Sequence, residues 1–420
     1  MHCDPRFARV REVFERHFAD GEELGAAFAV YKDGELVVDL WDGIADRWTG
    51  RPWERDTPAF VYCCTKAVTA AVLLRLVEQG LVDVATPVAE VWPEFAAEGK
   101  GSVTVEHLLT HQAGLPVVEE EVPVEEFDDL PAIAARLAGQ RPLWEPGTAH
   151  GYHALTYGFL IGEVVRRVTG RTVGELVAAE IAGPLELELW VGAPDDVIER
   201  TARLKAGERP RRAPGRAERS GMEIVESADR PQDAQPTGRP QDAQAADRPR
   251  EARAADRPQD LLAEIQRAAL DPASLMNRAL GNPAMHRLKG GANHPVILRA
   301  GWPAAGLVTT ARGLAGFYQG LLAGDVLRPE TLRDALRPRV NGPDKVLYLA
   351  TSFGLGFMLP SLTFTMPSKS AFGHSGMGGA LGLGDPERGL AIGYVMNKMA
   401  DALTGNLRGI RLVQAVYDSL

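Results

Sequence analysis

Three cysteines in 420 residues, Cys3, Cys63 and Cys64, are too few, and two of them too close together, to make a disulfide framework. Such a set agrees with a reducing compartment. Long hydrophobic runs are also missing: no stretch approaches the roughly 20 apolar residues that span a bilayer. The opening Met1-His2-Cys3-Asp4-Pro5-Arg6-Phe7 has no apolar core before a small-residue cleavage site. A cytoplasmic protein without a membrane partner is the expectation. Nor is there a surplus of basic charge. Lys and Arg number 46 against 56 Asp and Glu, interspersed, for a formal net charge of -10; without a basic stripe, nucleic acid is excluded as a partner. What the chain does have is 45% hydrophobic content, enough at this length to bury a large core and build two interleaved subdomains.

Phe60-Val61-Tyr62-Cys63-Cys64-Thr65-Lys66 reads as an S-x-x-K helix start with cysteine in the serine position. Residues three apart share a helix face, so the lysine amine reaches the proton of the side chain at 63. Ala67, Val68, Ala70, Ala71, Val72, Leu73, Leu76 and Val77 recur at helical spacing and Gly80 closes the segment, which predicts a helix. At its N-terminus the macrodipole and the Lys66 charge favour a thiolate over the free thiol, whose reference pKa is about 8.5. Taken alone, C-x-x-K describes a small buried cysteine before a surface lysine equally well. Cys64 stands two residues from Lys66, and such positions do not face each other, so it reads as a packing residue.

Three later segments change that balance. Gly101-Ser-Val-Thr-Val-Glu-His-Leu-Leu-Thr-His-Gln-Ala-Gly-Leu-Pro116 precedes Trp144-Glu145-Pro146-Gly147 and Gly151-Tyr152-His153-Ala154-Leu155-Thr156, and Phe372-Gly373-His374-Ser375-Gly376-Met377-Gly378-Gly379 follows near the end. In this order, with C-x-x-K, they resemble the active-site wall, the tyrosine motif and the third motif of the superfamily of class C β-lactamases, penicillin-binding proteins and family VIII carboxylesterases. The resemblance covers nearly the whole chain apart from one insertion. It implies Cys63 as nucleophile, Lys66 as its base, Tyr152 as proton shuttle to the leaving group, and His374 in the third motif. Ser375 and Gly376 would line the strand beside the substrate, and the backbone N–H groups of Cys63 and Met377 would form an oxyanion hole, usually the largest single catalytic contribution. His153 would border the pocket and Trp302, in Gly301–Arg312, would shape it, although a core aromatic explains Trp302 as well. No cofactor or metal is implied. Related esterases carry histidine where β-lactamases carry a cationic lysine, so His374 favours an ester hydrolase or acyltransferase over a true β-lactamase.

Cys63 departs from the family's serine, and three readings stand. It is a native thiol nucleophile, a serine-to-cysteine replacement that traps the acyl-enzyme of a serine esterase or acyltransferase, or the loss of the nucleophile in a non-catalytic acyl-binding or scaffold homologue. The retained lysine, tyrosine and histidine motifs count against the third. A thiolate is intrinsically a strong nucleophile, and the resemblance to cysteine acyl-transfer enzymes implies transfer to an amine, alcohol or thiol acceptor in competition with hydrolysis. The donor expected is a small ester or amide or a carrier-bound acyl thioester, which makes an acyl-carrier protein a candidate partner. Other nucleophile and metal patterns fail. Gly373-His374-Ser375-Gly376 lacks the glycine at 377 that a nucleophile elbow needs. His107 and His111 are four apart without a His-Glu-x-x-His pattern and read as packing, while His150 lies near Tyr152 and is explained by a backbone hydrogen bond equally well.

The fold class expected is α/β (α+β): a β-lactamase/transpeptidase-like antiparallel sheet flanked by helices, with an inserted, mostly helical subdomain. An amphipathic helix near Asp4–Phe18 leads to strands Ala26–Lys32 and Glu35–Gly43, joined at an Asp33-Gly34 hairpin signal. Strands are expected at Ser352–Leu359, Gly379–Gly384 and Leu390–Asn397, then a closing helix over Asp401–Leu420. One catalytic domain over 1–420 would thus comprise an α/β part, about 1–60 and 300–420, and a helical part, about 61–300. Within 206–260 an Arg-Pro motif recurs every nine residues at Arg230, Arg239, Arg248 and Arg257. With no aromatics it cannot bury enough surface to offset its ordering entropy, and a disordered insertion is expected.

Overall fold

The computed structural model describes residues 1–206, 258–400 and 406–420. The Arg-Pro repeat therefore lies almost wholly outside the described residues. The main sheet contains β1 (His2–Cys3), β2 (Gly25–Lys32), β3 (Glu35–Asp46), β4 (Phe372–Ser375), β5 (Leu381–Asp385) and β6 (Leu390–Met396), in the order β1-β3-β2-β6-β5-β4. A seventh strand, Arg51–Pro52, pairs with β3. The ends of the chain thus meet in one antiparallel sheet, with Ala29 opposite Gly393 and His374 opposite Gly382. The β2–β3 hairpin turns where Asp-Gly stands, with φ of 50° at Asp33 and 87° at Gly34, the left-handed pair that matches strand twist.

Both faces of this sheet are covered. A Cβ on Gly393 would sit 2.2 Å from the carbonyl oxygen of Ala311, so α4 (Ala311–Ala323) lies directly against β6. Tyr394, one residue on and so on the opposite face, meets Gly409 of α5 (Leu407–Tyr417), which also packs on α1 (Ala8–Ala19). Between the two halves of the sheet the chain forms helices. The central one, α2 (Thr65–Glu78), is buried almost all round and packs against α3 (Thr156–Thr169). No helix among the described residues is long and apolar enough to cross a membrane.

Three details differ from the sequence reading. Strand Leu189–Val191 falls in the stretch assigned to helices; with Leu307–Thr309 and Ala59–Phe60 it makes a second, three-stranded sheet. The strand expected at Ser352–Leu359 is only Ala350–Phe353, paired with Val340–Pro343, because the chain turns at Gly354 and at Gly356, where φ is 81°. Gly354 passes so close to Ala335 that a Cβ would lie 2.0 Å from its carbonyl oxygen. The closing helix begins at Leu407, capped by the Asn406 side chain, which accepts from the Gly409 N–H at 2.8 Å; residues 401–405 lie outside the described set.

Candidate active site

Cys63 lies in a short 3₁₀ turn, Tyr62–Cys64, that runs straight into α2. Tyr62 before it is left-handed, with φ of 46°, a conformation that costs a non-glycine residue about 1–3 kcal/mol. Neighbouring structure holds the turn in place. The Thr65 hydroxyl donates to the Tyr62 carbonyl and accepts from the Leu307 N–H at 2.9 Å, while Val61 N–H donates to the Leu307 carbonyl at 3.0 Å. On the other side, a Cβ on Gly376 would stand 2.3 Å from the Val61 carbonyl oxygen, so the end of β4 runs hard against the turn. Gly376 is where only glycine fits. The bonds closing the two facing turns come from Cys64 N–H and Gly379 N–H, not from the amides of Cys63 and Met377.

Lys66 is wholly buried, and its Nζ donates to the carbonyls of Ala154 at 2.7 Å and Ala304 at 3.1 Å. Desolvation pulls its pKa below the ordinary lysine value, opposed by the charge of Cys63 and a side-chain hydrogen bond to it. The geometry constrains the proton. Carbonyls only accept, so two N–H bonds of Lys66 are committed and one position on its nitrogen is left over, with Cys63 beside it.

The Tyr152 ring lies 4.7 Å from Lys66 Nζ, and burial, with Cys63 beside it, holds its phenol well above the usual pKa. Its hydroxyl is 3.5 Å from His374 Nε2. His374 Nδ1 bonds the Ser375 carbonyl at 2.7 Å, so Nδ1 carries the hydrogen and Nε2 is free to accept. Burial first, then the Lys66 charge, lower the His374 pKa to about 3, which keeps the ring neutral. The structure thus brings Cys63, Lys66, Tyr152 and His374 together. Cys64 points away, its sulfhydryl bonded to the His374 carbonyl at 3.3 Å and its pKa pushed up by burial.

Two expected substrate contacts need correction. His153 is 1% exposed, and both its ring nitrogens are engaged by backbone: Nδ1 donates to the Gly151 carbonyl at 2.6 Å and Nε2 accepts from Leu115 N–H at 3.0 Å. It has nothing left for a substrate. Trp302 is buried in the core, its indole N–H donating to the Phe127 carbonyl at 2.7 Å and its rings edge-on to Phe127 and Phe159. It sits just before Pro303 and Ala304, whose carbonyls take Thr69 and Lys66, and so backs the site from behind. Ser375 alternates with His374 on β4 and lines a small cavity of about 90 Å³ with Phe364, Met366 and Asn406; its buried hydroxyl has no protein partner. His111 and His107 are packing residues: His111 Nδ1 accepts from His153 N–H, and His107 caps the helix Val105–Leu109 through Thr104.

Sequence reasoning missed Asp344, Tyr157 and the two carbonyls that hold Lys66. Asp344 accepts the backbone N–H of Tyr152 at 3.0 Å, and the Tyr157 hydroxyl donates to the Lys66 carbonyl at 3.3 Å. Carbonyl acceptors leave no trace in residue identity, and Asp344 lies far along the chain from the tyrosine it touches.

The description "Beta-lactamase" fits residues 10–416 as a family model. The chain is 33% identical over 410 residues to the Esterase/beta-lactamase LipL of Mycobacterium tuberculosis, covering 96% of this chain and 83% of that protein. Among solved structures, a penicillin-binding protein homolog from Caulobacter crescentus superposes with a TM-score of 0.79 at 38% identity, over 100% of this chain and 99% of that one. A family VIII carboxylesterase gives the same TM-score at 32% identity and the same coverage. With the fold, the order of motifs and a family match across almost its entire length, the chain belongs to the beta-lactamase family.

Proposed function

We propose that this hydrolase of the esterase/β-lactamase kind works through a covalent acyl-enzyme on Cys63. One observation carries the reading: a buried Lys66 whose two backbone acceptors leave one position of its nitrogen open, with Cys63 beside it. The thiol proton passes to the amine, and the thiolate attacks the carbonyl of a small-molecule ester, amide or thioester. The backbone N–H groups of Cys63 and Met377 stabilise the oxyanion. As the bond to the leaving group breaks, Tyr152 gives it a proton and is re-protonated by the Lys66 ammonium. Water then attacks the thioester, its proton leaves through Tyr152 and Lys66, and the Cys63 thiol returns. His374, neutral and accepting, orients the Tyr152 hydroxyl. Esters are the favoured substrates, in keeping with the names of the relatives. An amine or alcohol taking the place of water turns the same site into an acyltransferase.

The test is to follow p-nitrophenyl ester turnover and acyl adduct mass for the protein and its Cys63→Ser variant, with and without an amine acceptor. Turnover by the cysteine form with a transient adduct at Cys63 is expected. Adduct that accumulates without turnover, while the serine form turns over, makes Cys63 a trap. No adduct in either form leaves a non-catalytic binding protein.

A further inference from the structure

Tyr152 has no helix or strand to hold it: residues 149–153 are irregular. Its position is set by a turn nearly two hundred residues away. Asp344, 3% exposed, begins that turn, and its Oδ1 accepts three N–H groups, from Val346 at 2.8 Å, Leu347 at 2.9 Å and Tyr152 at 3.0 Å. Oδ2 accepts from the Thr351 hydroxyl at 3.1 Å. Since the Thr351 proton is committed there, its oxygen must accept from His150 Nε2 at 2.9 Å. The Lys345 N–H donates to the His150 carbonyl at 3.1 Å, so the turn grips the chain on both sides of Gly151. No Lys or Arg hydrogen bond reaches this carboxylate among its described partners. Burial pushes its pKa up, and the three N–H bonds oppose that. A buried carboxylate is costly to keep, and a residue that needed only to close the turn between 344 and 347 would not also reach Tyr152.

We infer that Asp344 is the positioning residue of the site: by holding the Tyr152 backbone it fixes where the phenol delivers its proton, and so controls acylation without touching substrate. The inference rests on the acyl-enzyme reading above. It predicts that Asp344 acts only through the Tyr152 hydroxyl and leaves the Cys63–Lys66 pair alone.

The test is a double-mutant cycle of Asp344→Ala and Tyr152→Phe, with Asp344→Asn as the conservative variant. The readouts are the phenol burst from phenyl butyrate, whose more basic leaving group gains from the proton, and the rate of Cys63 alkylation by iodoacetamide. Asp344→Ala should slow the burst about 10²-fold, the scale of an ångström's misplacement of a reacting group. Asp344→Asn keeps an Oδ1 acceptor and should recover most of that loss. Alkylation, which does not need the phenol, should keep its rate in both. In the Tyr152→Phe background, Asp344→Ala should cost nothing further. An equal additional loss there, or alkylation slowing in parallel with the burst, overturns the inference and makes Asp344 a structural residue only. Should Asp344→Ala fail to fold, Thr351→Val, which removes only the Oδ2 bond, should give a smaller loss with the same non-additivity. If Tyr152→Phe bursts as fast as the parent, the proton role of Tyr152 fails first and the positioning role with it, a result visible without any Asp344 variant.

Discussion

On the acyl-enzyme reading Lys66 takes the thiol proton and Tyr152 delivers one to the leaving group, and single substitutions should separate the two steps. Lys66→Gln removes the group that takes the thiol proton, so both Cys63 alkylation by iodoacetamide and acylation by an ester should fall, by about 10²-fold or more. Tyr152→Phe removes the proton delivery to the leaving group and the phenol's hydrogen bond to Cys63, so acylation should fall on the same scale while alkylation changes far less. Parallel loss in both variants would mean that the two side chains do not divide the work. That Cys63, Lys66, Tyr152 and His374 come together is legible in the sequence, because side-chain chemistry at motif spacing is what a sequence displays. His153 turns to the backbone rather than the pocket, and Trp302 takes the core-aromatic alternative. Both lie next to residues of the site, at Tyr152 and Ala304, and chain adjacency does not say which way a side chain points. Asp344 was illegible because a lone aspartate after Gly342-Pro343 reads only as a turn.

The turn that carries Cys63 is gripped between the Leu307–Thr309 strand and the end of β4. Gly376→Ala tests that grip, since its Cβ would stand 2.3 Å from the Val61 carbonyl oxygen. The strand or the turn must shift, and Met377, one residue on, shifts with it. Loss of one oxyanion donor costs about 10²–10³-fold in kcat, so kcat should drop by up to that factor while circular dichroism stays that of the parent. An unchanged kcat would show that the Met377 amide takes no part. At this scale the sequence was a good guide wherever the signal was local: the Asp33-Gly34 turn, the apolar spacing of α2, the strands at 381–385 and 390–396. It failed where pairing was decided elsewhere. Leu189–Val191 is too short to show alternation and is a strand because Leu307–Thr309 lies beside it.

Across the whole molecule, buried histidines make acid the vulnerable direction. Burial lowers His374 to about 3, His153 to about 4 and His111 well below its usual value. His17, His107 and His150 shift the same way. A base whose folded pKa lies below its unfolded value, about 6.5, takes up its proton on unfolding, so the folded state loses stability as pH falls through 6.5 toward 4. Glu23, raised to about 7 by burial beside Arg408 and Tyr394, acts in the opposite sense, as does Asp344. Stability linked to Glu23 is present below about 4.5 and lost as pH rises through 7. Six histidines against two carboxyls decide the sign: the melting temperature should fall from pH 7 to pH 5. A flat profile would mean that these histidines ionise freely in the native protein. The Glu23→Gln variant should steepen the fall, because the carboxyl no longer offsets it.

The two carbonyls that hold Lys66 belong to segments far apart in the chain, one within the Tyr152 motif and one before the Leu307–Thr309 strand. The amine therefore serves as a latch between them, and its alignment on Cys63 lasts only while both stay in place. Gentle heating or low denaturant that separates the segments by an ångström would unhook the base while the main sheet is still intact. Inactivation should precede melting, and enzyme assays during a thermal ramp would register the first loosening of this fold before any spectroscopic change.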